Sequence, residues 1–201
     1  MLHSAPSRAR YTLEFFTTIT ILLSIFTTLS TLLYPTSPTA SLDLHSVKVR
    51  PTRPRPPTRP RDILLLTFDL TLDARPLFTW NTKQVFTYLS ITYASSPSSN
   101  YTDNELIFWD MILPDIGSAK LELEGEEVRY KVSDISGSFS ERGASVRLGW
   151  NVQPYVGALR WGSVELDLQG GRAVAEEGEE EEGWSFGIPR LATVVEVKKR
   201  S

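Results

Sequence analysis

The chain has 201 residues, a net charge of −3 and a sequence pI of about 5.5. This balance provides no basic field that would attract nucleic acid, so no nucleic-acid partner is predicted. The chain contains no cysteine, which excludes disulfides, cysteine nucleophiles and zinc sites built on cysteine ligands.

Near the N-terminus, residues 15–34 form an apolar stretch without charge, FFTTITILLSIFTTLSTLLY. As an α-helix it reaches about 30 Å, the thickness of a bilayer's hydrocarbon core. A cleaved signal peptide is the alternative, but its apolar core has only about 7–15 residues, and Pro38 stands two residues before the small residue Ala40. The stretch therefore predicts a retained transmembrane helix over 15–34, preceded by a tail of residues 1–14.

Six of the hydroxyl side chains of this span form a hydroxyl stripe on one side of a helix at 100° per residue. They are Thr17, Thr20, Ser24, Thr27, Thr28 and Thr31. Small hydroxyl residues favour close packing on another membrane helix. The alternative is that each hydroxyl bonds to the preceding turn of its own helix, and both interpretations stay open.

The basic residues nearly balance on the two sides of the span. Arg8 and Arg10 precede it, and Lys48, Arg50 and Arg53 follow it. Long domains translocate largely regardless of their charge. We therefore expect the N-terminal tail in the cytosol and the C-terminal domain across the membrane.

Residues 35–61 are predicted to form a Pro/Arg-rich juxtamembrane linker with a possible edge strand at 41–49. Its second part, PTRPRPPTRPR at 51–61, contains five prolines and favours an extended, polyproline-like spacer. Its arginines suit contacts with anionic lipid headgroups or an acidic partner. They equally suit a stiff, solvated loop.

Beyond the linker, residues 62–201 are predicted to form one β domain. Apolar and polar residues alternate in TFDLTLD at 67–73, which is typical of a half-buried strand. Further strands are predicted at 85–93, 105–113, 120–124, 128–132, 145–152, 163–168 and 191–197. Short strands separated by Gly, Pro, Asn and Ser clusters favour an antiparallel β-sandwich. The acidic run within 173–183 predicts a disordered loop.

The domain shows no pattern typical of catalysis. The two histidines, His3 and His45, lie on either side of the span, so we place neither inside the sandwich and exclude a Ser-His-Asp triad there. A Ser–Lys dyad using Lys83, Lys120 or Lys131 has no supporting motif. No catalytic, cofactor-binding or metal-binding residue is predicted.

Three aromatic–polar pairs recur along the domain: Trp80-Asn81, Trp109-Asp110 and Trp150-Asn151. Adjacent strand residues face opposite sides of a sheet. The pairs therefore predict tryptophans in the core and polar neighbours that point outward to fix turns or edges. A ligand site is the alternative.

A glycosylation sequon, Asn100-Tyr101-Thr102, lies in a Ser/Pro/Asn-rich stretch. It predicts modification of Asn100 in an exposed loop, provided that the domain is translocated.

Four blocks of the chain carry a family resemblance. Thr67-Phe68-Asp69, LFTWNTKQVFTYLS at 77–90, FWD at 108–110 and LGWNVQP at 148–154 resemble, in the same order, the blocks of signal peptidase complex subunit 3. The segment 145–147 lacks the sequon that animal members place just before their Trp-Asn block, and we expect a fungal member.

The resemblance implies a single-span protein of the endoplasmic reticulum membrane with a cytosolic N-terminus and a luminal β-sandwich-like domain. It implies a non-catalytic partner of the protease subunit that removes signal peptides from nascent secretory and membrane proteins. The other small membrane subunits and membrane lipids are further expected partners, and nascent precursors are indirect ones. Within this chain, the candidates for structural or interface roles are Phe68, Asp69, Trp80, Asn81, Trp109, Asp110, Trp150 and Asn151. Two alternatives from other classes are a membrane-tethered β-sandwich binding module and a membrane protease that uses serine and lysine.

Overall fold

The computed structural model describes residues 4–34, 36–51, 62–93, 104–133 and 143–166, together with the backbone pairing of 173–174, 186–187 and 195–196. A single long helix, α1 (Ala5–Thr31), precedes the strands. The strands are β1 (Thr39–Pro51), β2 (Asp62–Asp73), β3 (Thr82–Tyr93), β4 (Asn104–Leu113), β5 (Lys120–Glu127), β6 (Val132–Ser133), β7 (Gly143–Pro154), β8 (Arg160–Leu166), β9 (Ala173–Val174), β10 (Phe186–Gly187) and β11 (Val195–Glu196). Two single 3₁₀ turns, Arg75–Leu77 and Ile116–Ser118, complete the described elements.

The strands form two antiparallel sheets. The first has the order β11-β1-β2-β5, with β6 also paired to β2 and β9 to β1. The second has the order β10-β7-β3-β4, with β8 also paired to β7. Buried side chains from both sheets form one hydrophobic cluster, and the predicted mainly-β, antiparallel fold with an N-terminal apolar helix is confirmed.

The core rests on the two-residue alternation of the strands. On β2, five alternating residues, Leu64 to Leu72, are almost completely buried. Among them, the ring of Phe68 meets Phe108 edge-on at 5.6 Å and Trp109 at 6.4 Å between ring centroids. The last two are neighbours in sequence, yet both are buried, because β4 carries one extra residue against β3 between the pairs Leu89–Trp109 and Ser90–Ile107. Such a bulge turns two consecutive side chains towards one face.

Helix α1 is longer at its start than the predicted span. It begins at Ala5, with a proline in its first turn. Backbone N–H groups of the first turn have no acceptor within the helix, so the N–H that proline lacks is not needed there. It ends at Thr31 and is followed by a turn. The helix is long and apolar enough to cross a membrane, with a mean hydropathy of 1.6 in its most apolar part.

Strand β1 corrects the prediction of a juxtamembrane linker over 35–61. It pairs with β2 along its whole length, from Thr39 opposite Asp73 to Pro51 opposite Asp62, and with β9 and β11 on its other side. It is therefore an integral strand of the sandwich rather than a short edge strand. Its 13 residues extend about 40 Å at 3.3 Å per residue. β1 thus ends and β2 begins at the end of the sandwich away from α1, and the Pro/Arg-rich residues 52–61 between them lie outside the described residues.

Two further strand predictions also change. Residues 128–131 are not a strand; the backbone N–H groups of Arg129 and Tyr130 instead donate to the carbonyl of Phe108 at 2.8 and 3.1 Å. Of the predicted disordered segment 173–183, the first two residues form β9 against Thr39 and Ala40. The remainder of that segment lies outside the described residues. Of the predicted strand 191–197, the structure describes β11, which pairs with Ser46 and Val47.

Candidate functional site and interaction surfaces

Asp69 holds three strands of the first sheet together. Its Oδ1 accepts a hydrogen bond from the backbone N–H of Gly125 at 2.7 Å, and its Oδ2 lies 2.6 Å from Nε2 of His45. Both partners sit at irregularities: β1 has an extra residue at His45, and β5 bulges at Gly125, whose φ is +64°. A positive φ suits glycine. The carboxylate therefore links the bulges of the two neighbouring strands, which is a structural role.

The position of His45 corrects its assignment outside the sandwich. It lies within β1 and is half exposed beside Asp69. The hydroxyl of the adjacent Ser46 donates to Thr67 Oγ1 at 3.2 Å. The serine is thus turned towards β2 rather than activated by the imidazole, and the geometry is that of a sheet contact.

The Trp109-Asp110 pair has the predicted arrangement. Trp109 is completely buried, and the guanidinium of Arg129 lies 5.8 Å from its ring centroid. Asp110 faces away from the core, where its Oδ1 accepts a hydrogen bond from the Tyr130 hydroxyl at 2.9 Å. This hydrogen bond raises the pKa of Tyr130, because the phenol donates to a carboxylate. Through these contacts with Arg129 and Tyr130, the pair holds segment 128–131 against β4.

The Trp80-Asn81 pair has the reverse arrangement. Trp80 is 60% exposed, whereas Asn81 is 2% exposed, so the predicted core position of Trp80 is wrong. The pair lies in the turn before β3 rather than in a strand, where two-residue alternation does not apply. The Asn81 side chain donates to the carbonyl of Val156 at 2.7 Å and accepts from its N–H at 3.1 Å. The Asn81 carbonyl accepts from the N–H of Tyr155 at 2.8 Å.

Both residues of the Trp150-Asn151 pair are buried, and they lie on opposite faces of the second sheet. Trp150 points into the core over Gly162, where a Cβ atom would lie 2.4 Å from the indole Cζ2. Asn151 lies on the opposite face, in register with Phe86 and Trp161. It is 2% exposed, and its Nδ2 has no hydrogen-bond partner among the described residues. The asparagine is therefore covered by its neighbours and does not fix an edge.

The last turn of α1 contacts the β domain at the connection between β7 and β8. Gly157 in this connection has φ +118°, and a Cβ there would lie 2.8 Å from the Thr28 hydroxyl. A guanidinium N–H of Arg160 donates to the Thr31 carbonyl at 3.0 Å. A cation at a helix C-terminus also complements the helix dipole. The crevice between helix and domain is lined by Thr28, Thr31, Leu77, Val152 and Arg160, among others.

The hydroxyl stripe shows the internal bonding that one interpretation predicts. The hydroxyls donate to carbonyls of the preceding turn at 2.7–2.9 Å in Thr17, Thr20, Ser24, Thr28 and Thr31. Thr28 and Thr31 also face the β domain. Packing of the stripe, Thr27 included, on another membrane helix stays a prediction.

Two other predictions concern ligands and modification. Among the described residues, no group of three or more His, Asp or Glu side chains is placed to hold a metal ion. The predicted glycosylation site at Asn100 lies outside the described residues, in the connection between the paired residues Tyr93 and Asn104.

Comparison with known proteins identifies the family. The chain matches the family described as signal peptidase subunit over residues 2–170. The chain belongs to the signal peptidase subunit family. Proteins named signal peptidase complex subunit 3 are similar to it: 40% identical over 109 residues in Yarrowia lipolytica, 38% over 103 in Saccharomyces cerevisiae and 35% over 104 in Homo sapiens.

These similarities cover 54%, 51% and 51% of this chain and 58%, 54% and 56% of the respective relatives. The matched part thus spans little more than half the length of each relative. The family resemblance predicted from the four blocks is confirmed, and the fungal relatives agree with a fungal member.

Proposed function

We propose that this signal peptidase family member is a non-catalytic subunit of the signal peptidase complex in the endoplasmic reticulum membrane. It supports the catalytic serine protease subunit in removing signal peptides from nascent secretory and membrane proteins. The observation that carries the proposal is the family match over residues 2–170, which includes the helix and most of the described β domain.

The geometry of the shared blocks supports an accessory role. Asp69 links two bulges, Asp110 fastens a crossing segment, and Asn81 holds the β7–β8 connection. Each polar side chain is used to shape the sandwich or to seat it on α1. Polar side chains that are engaged within the domain in this way suit a subunit that braces a partner.

The proposed placement follows from α1. The helix spans the membrane, with the N-terminus in the cytosol and the β domain in the lumen, next to the catalytic subunit and the other small membrane subunits. The contact between the end of α1 and the β7–β8 connection supports a domain held close to the bilayer, where signal peptides are cleaved.

The test is depletion of the chain followed by rescue. On depletion, precursors are expected to remain uncleaved and the level of the catalytic subunit is expected to fall. Re-expression of the full chain is expected to restore both precursor cleavage and the catalytic subunit. Affinity purification from gently solubilised membranes is expected to recover the other subunits. Normal precursor processing after complete loss contradicts the proposal. Recovery of a glycan or an adhesion partner without any protease subunit favours a tethered binding module instead.

Variants of the hydroxyl stripe are compared by the same affinity purification, to test whether the stripe packs on a partner's membrane helix. Thr17, Thr20, Ser24 and Thr27 are replaced together by leucine, while Thr28 and Thr31 stay because they face the chain's own domain. Loss of membrane partners is expected, because leucine prevents the close approach that small hydroxyl residues allow. The control replaces Leu22, Ile25, Phe26 and Leu29 on the other side by alanine. Equal recovery of partners by both variants contradicts packing through the stripe.

A further inference from the structure

The connection between β7 and β8 is uncharged and apolar, although it lies on the surface. Its five residues, YVGAL at 155–159, contain none of the Asn, Asp or Ser residues that favour solvated turns. Tyr155 is 69% exposed and Leu159 is 53% exposed. Two exposed tryptophans adjoin it: Trp80, the neighbour of the Asn81 that bonds to Val156, and Trp161, the second residue of β8.

The contact with α1 fixes the height of this surface relative to the membrane. Gly157 lies against Thr28, and Arg160 bonds to Thr31. Thr28 belongs to the uncharged stretch 15–34 and precedes the last helical residue by three positions, about 4.5 Å along the axis. Where that stretch crosses a bilayer, the connection at its side must therefore lie at the depth of the membrane boundary.

We propose that the aromatic rim, defined as Trp80, Tyr155, Val156, Leu159 and Trp161, inserts into the boundary between lipid headgroups and acyl chains of the bilayer that α1 spans. Tryptophan and tyrosine prefer this region because their rings are apolar and their N–H or O–H groups remain hydrated. The inference rests on the proposed membrane anchoring of α1. It adds a second membrane contact, which holds the sandwich at a fixed height and tilt over the lipid surface.

The absence of cysteine from the chain makes a direct depth measurement simple. Single cysteines are introduced into the full-length protein at Tyr155→Cys and Leu159→Cys and are spin-labelled. The protein is reconstituted alone into phosphatidylcholine vesicles. Collision rates are measured with oxygen, which concentrates in lipid, and with a nickel chelate, which stays in water. Ile107→Cys is the matched control, since Ile107 is apolar and 45% exposed. It lies in β4 opposite Ser90, towards the end of β3 that is away from the β7–β8 connection. Phe26→Cys reports the interior of the span.

Labels at residues 155 and 159 are expected to collide with the nickel chelate several-fold less often than the label at 107, and more often with oxygen. If their collision rates match those of the label at 107 while the label at 26 is inside the lipid, lipid insertion of the aromatic rim is refuted, whereas membrane spanning by α1 is supported. If the label at 26 is itself exposed to water, both membrane spanning by α1 and lipid insertion of the aromatic rim are contradicted. If labels 155 and 159 become shielded only in the assembled complex, the rim contacts a protein partner and lipid insertion is refuted.

Discussion

The clamp made by Asn81 predicts a measurable loss of stability in Asn81→Ala. The substitution removes both side-chain hydrogen bonds to the backbone of Val156, at 2.7 and 3.1 Å. It keeps the Asn81 carbonyl that accepts from Tyr155. The change therefore isolates the side-chain contribution to holding the β7–β8 connection.

The size of the effect follows from the two lost bonds. A typical hydrogen bond contributes about 0.5–1.5 kcal/mol net, which gives about 1–3 kcal/mol for the pair. Val156 is 37% exposed, so water replaces part of the lost bonding and a value of about 2 kcal/mol is expected. For a domain of this size, the melting temperature falls by about 4–8 °C.

The assay is equilibrium unfolding of the full-length chain in detergent micelles, followed by tryptophan fluorescence. Hydrogen exchange of the peptide that contains residues 155–159 is measured in parallel and is expected to accelerate. The control is Lys83→Ala, an exposed position on the following strand, where a change within about 0.5 kcal/mol is expected.

A second variant separates hydrogen bonding from packing. Asn81→Asp keeps the acceptor for the Val156 N–H but places a carboxylate against the Val156 carbonyl, so it is expected to destabilise at least as much as alanine. If Asn81→Ala unfolds like Lys83→Ala and leaves hydrogen exchange unchanged, water fully replaces the side chain and the reasoning about the clamp is wrong.

Three further changes test other parts of the domain. Asp69→Ala removes both contacts to the bulges of the neighbouring strands and is expected to cost about 1–3 kcal/mol, measured by urea unfolding. Gly162→Ala forces a methyl group against Trp150 and is expected to cost about 1–3 kcal/mol through overpacking, with a changed near-ultraviolet circular dichroism. Bonding to Arg75 lowers the pKa of Asp73 from 3.8 to about 2. Because the folded-state pKa is the lower one, this small stabilisation is present above about pH 4 and is lost as the pH falls through about 2. Carboxyl NMR is expected to show the pKa of Asp73 near its ordinary value in Arg75→Ala; an unchanged pKa there contradicts the assignment.

The amino-acid sequence alone determined the elements whose pattern is local. A long uncharged run predicts a helix because length and polarity suffice, and α1 contains most of it. Two-residue alternation at 67–73 locates the second half of β2, because a strand between core and solvent must bury every second side chain. β-branched and aromatic content and the turn clusters between segments locate β3, β4, β7 and β8 within a few residues. The ordered Trp-Asn and Trp-Asp blocks were sufficient to recognise the family, which the match over residues 2–170 confirms.

The tertiary structure decided what depends on pairing between distant segments. Residues 39–51 follow the helix closely in sequence and are predicted to lie in a linker, but they pair with β2 along their whole length as β1. His45 enters the sheet at a bulge beside Asp69, and no local pattern marks a bulge. Trp80 and Asn81 exchange their expected positions because the β7–β8 connection, about 75 residues away, supplies the partner that buries the asparagine. Periodicity describes one strand at a time, whereas these contacts arise only when strands and helix meet.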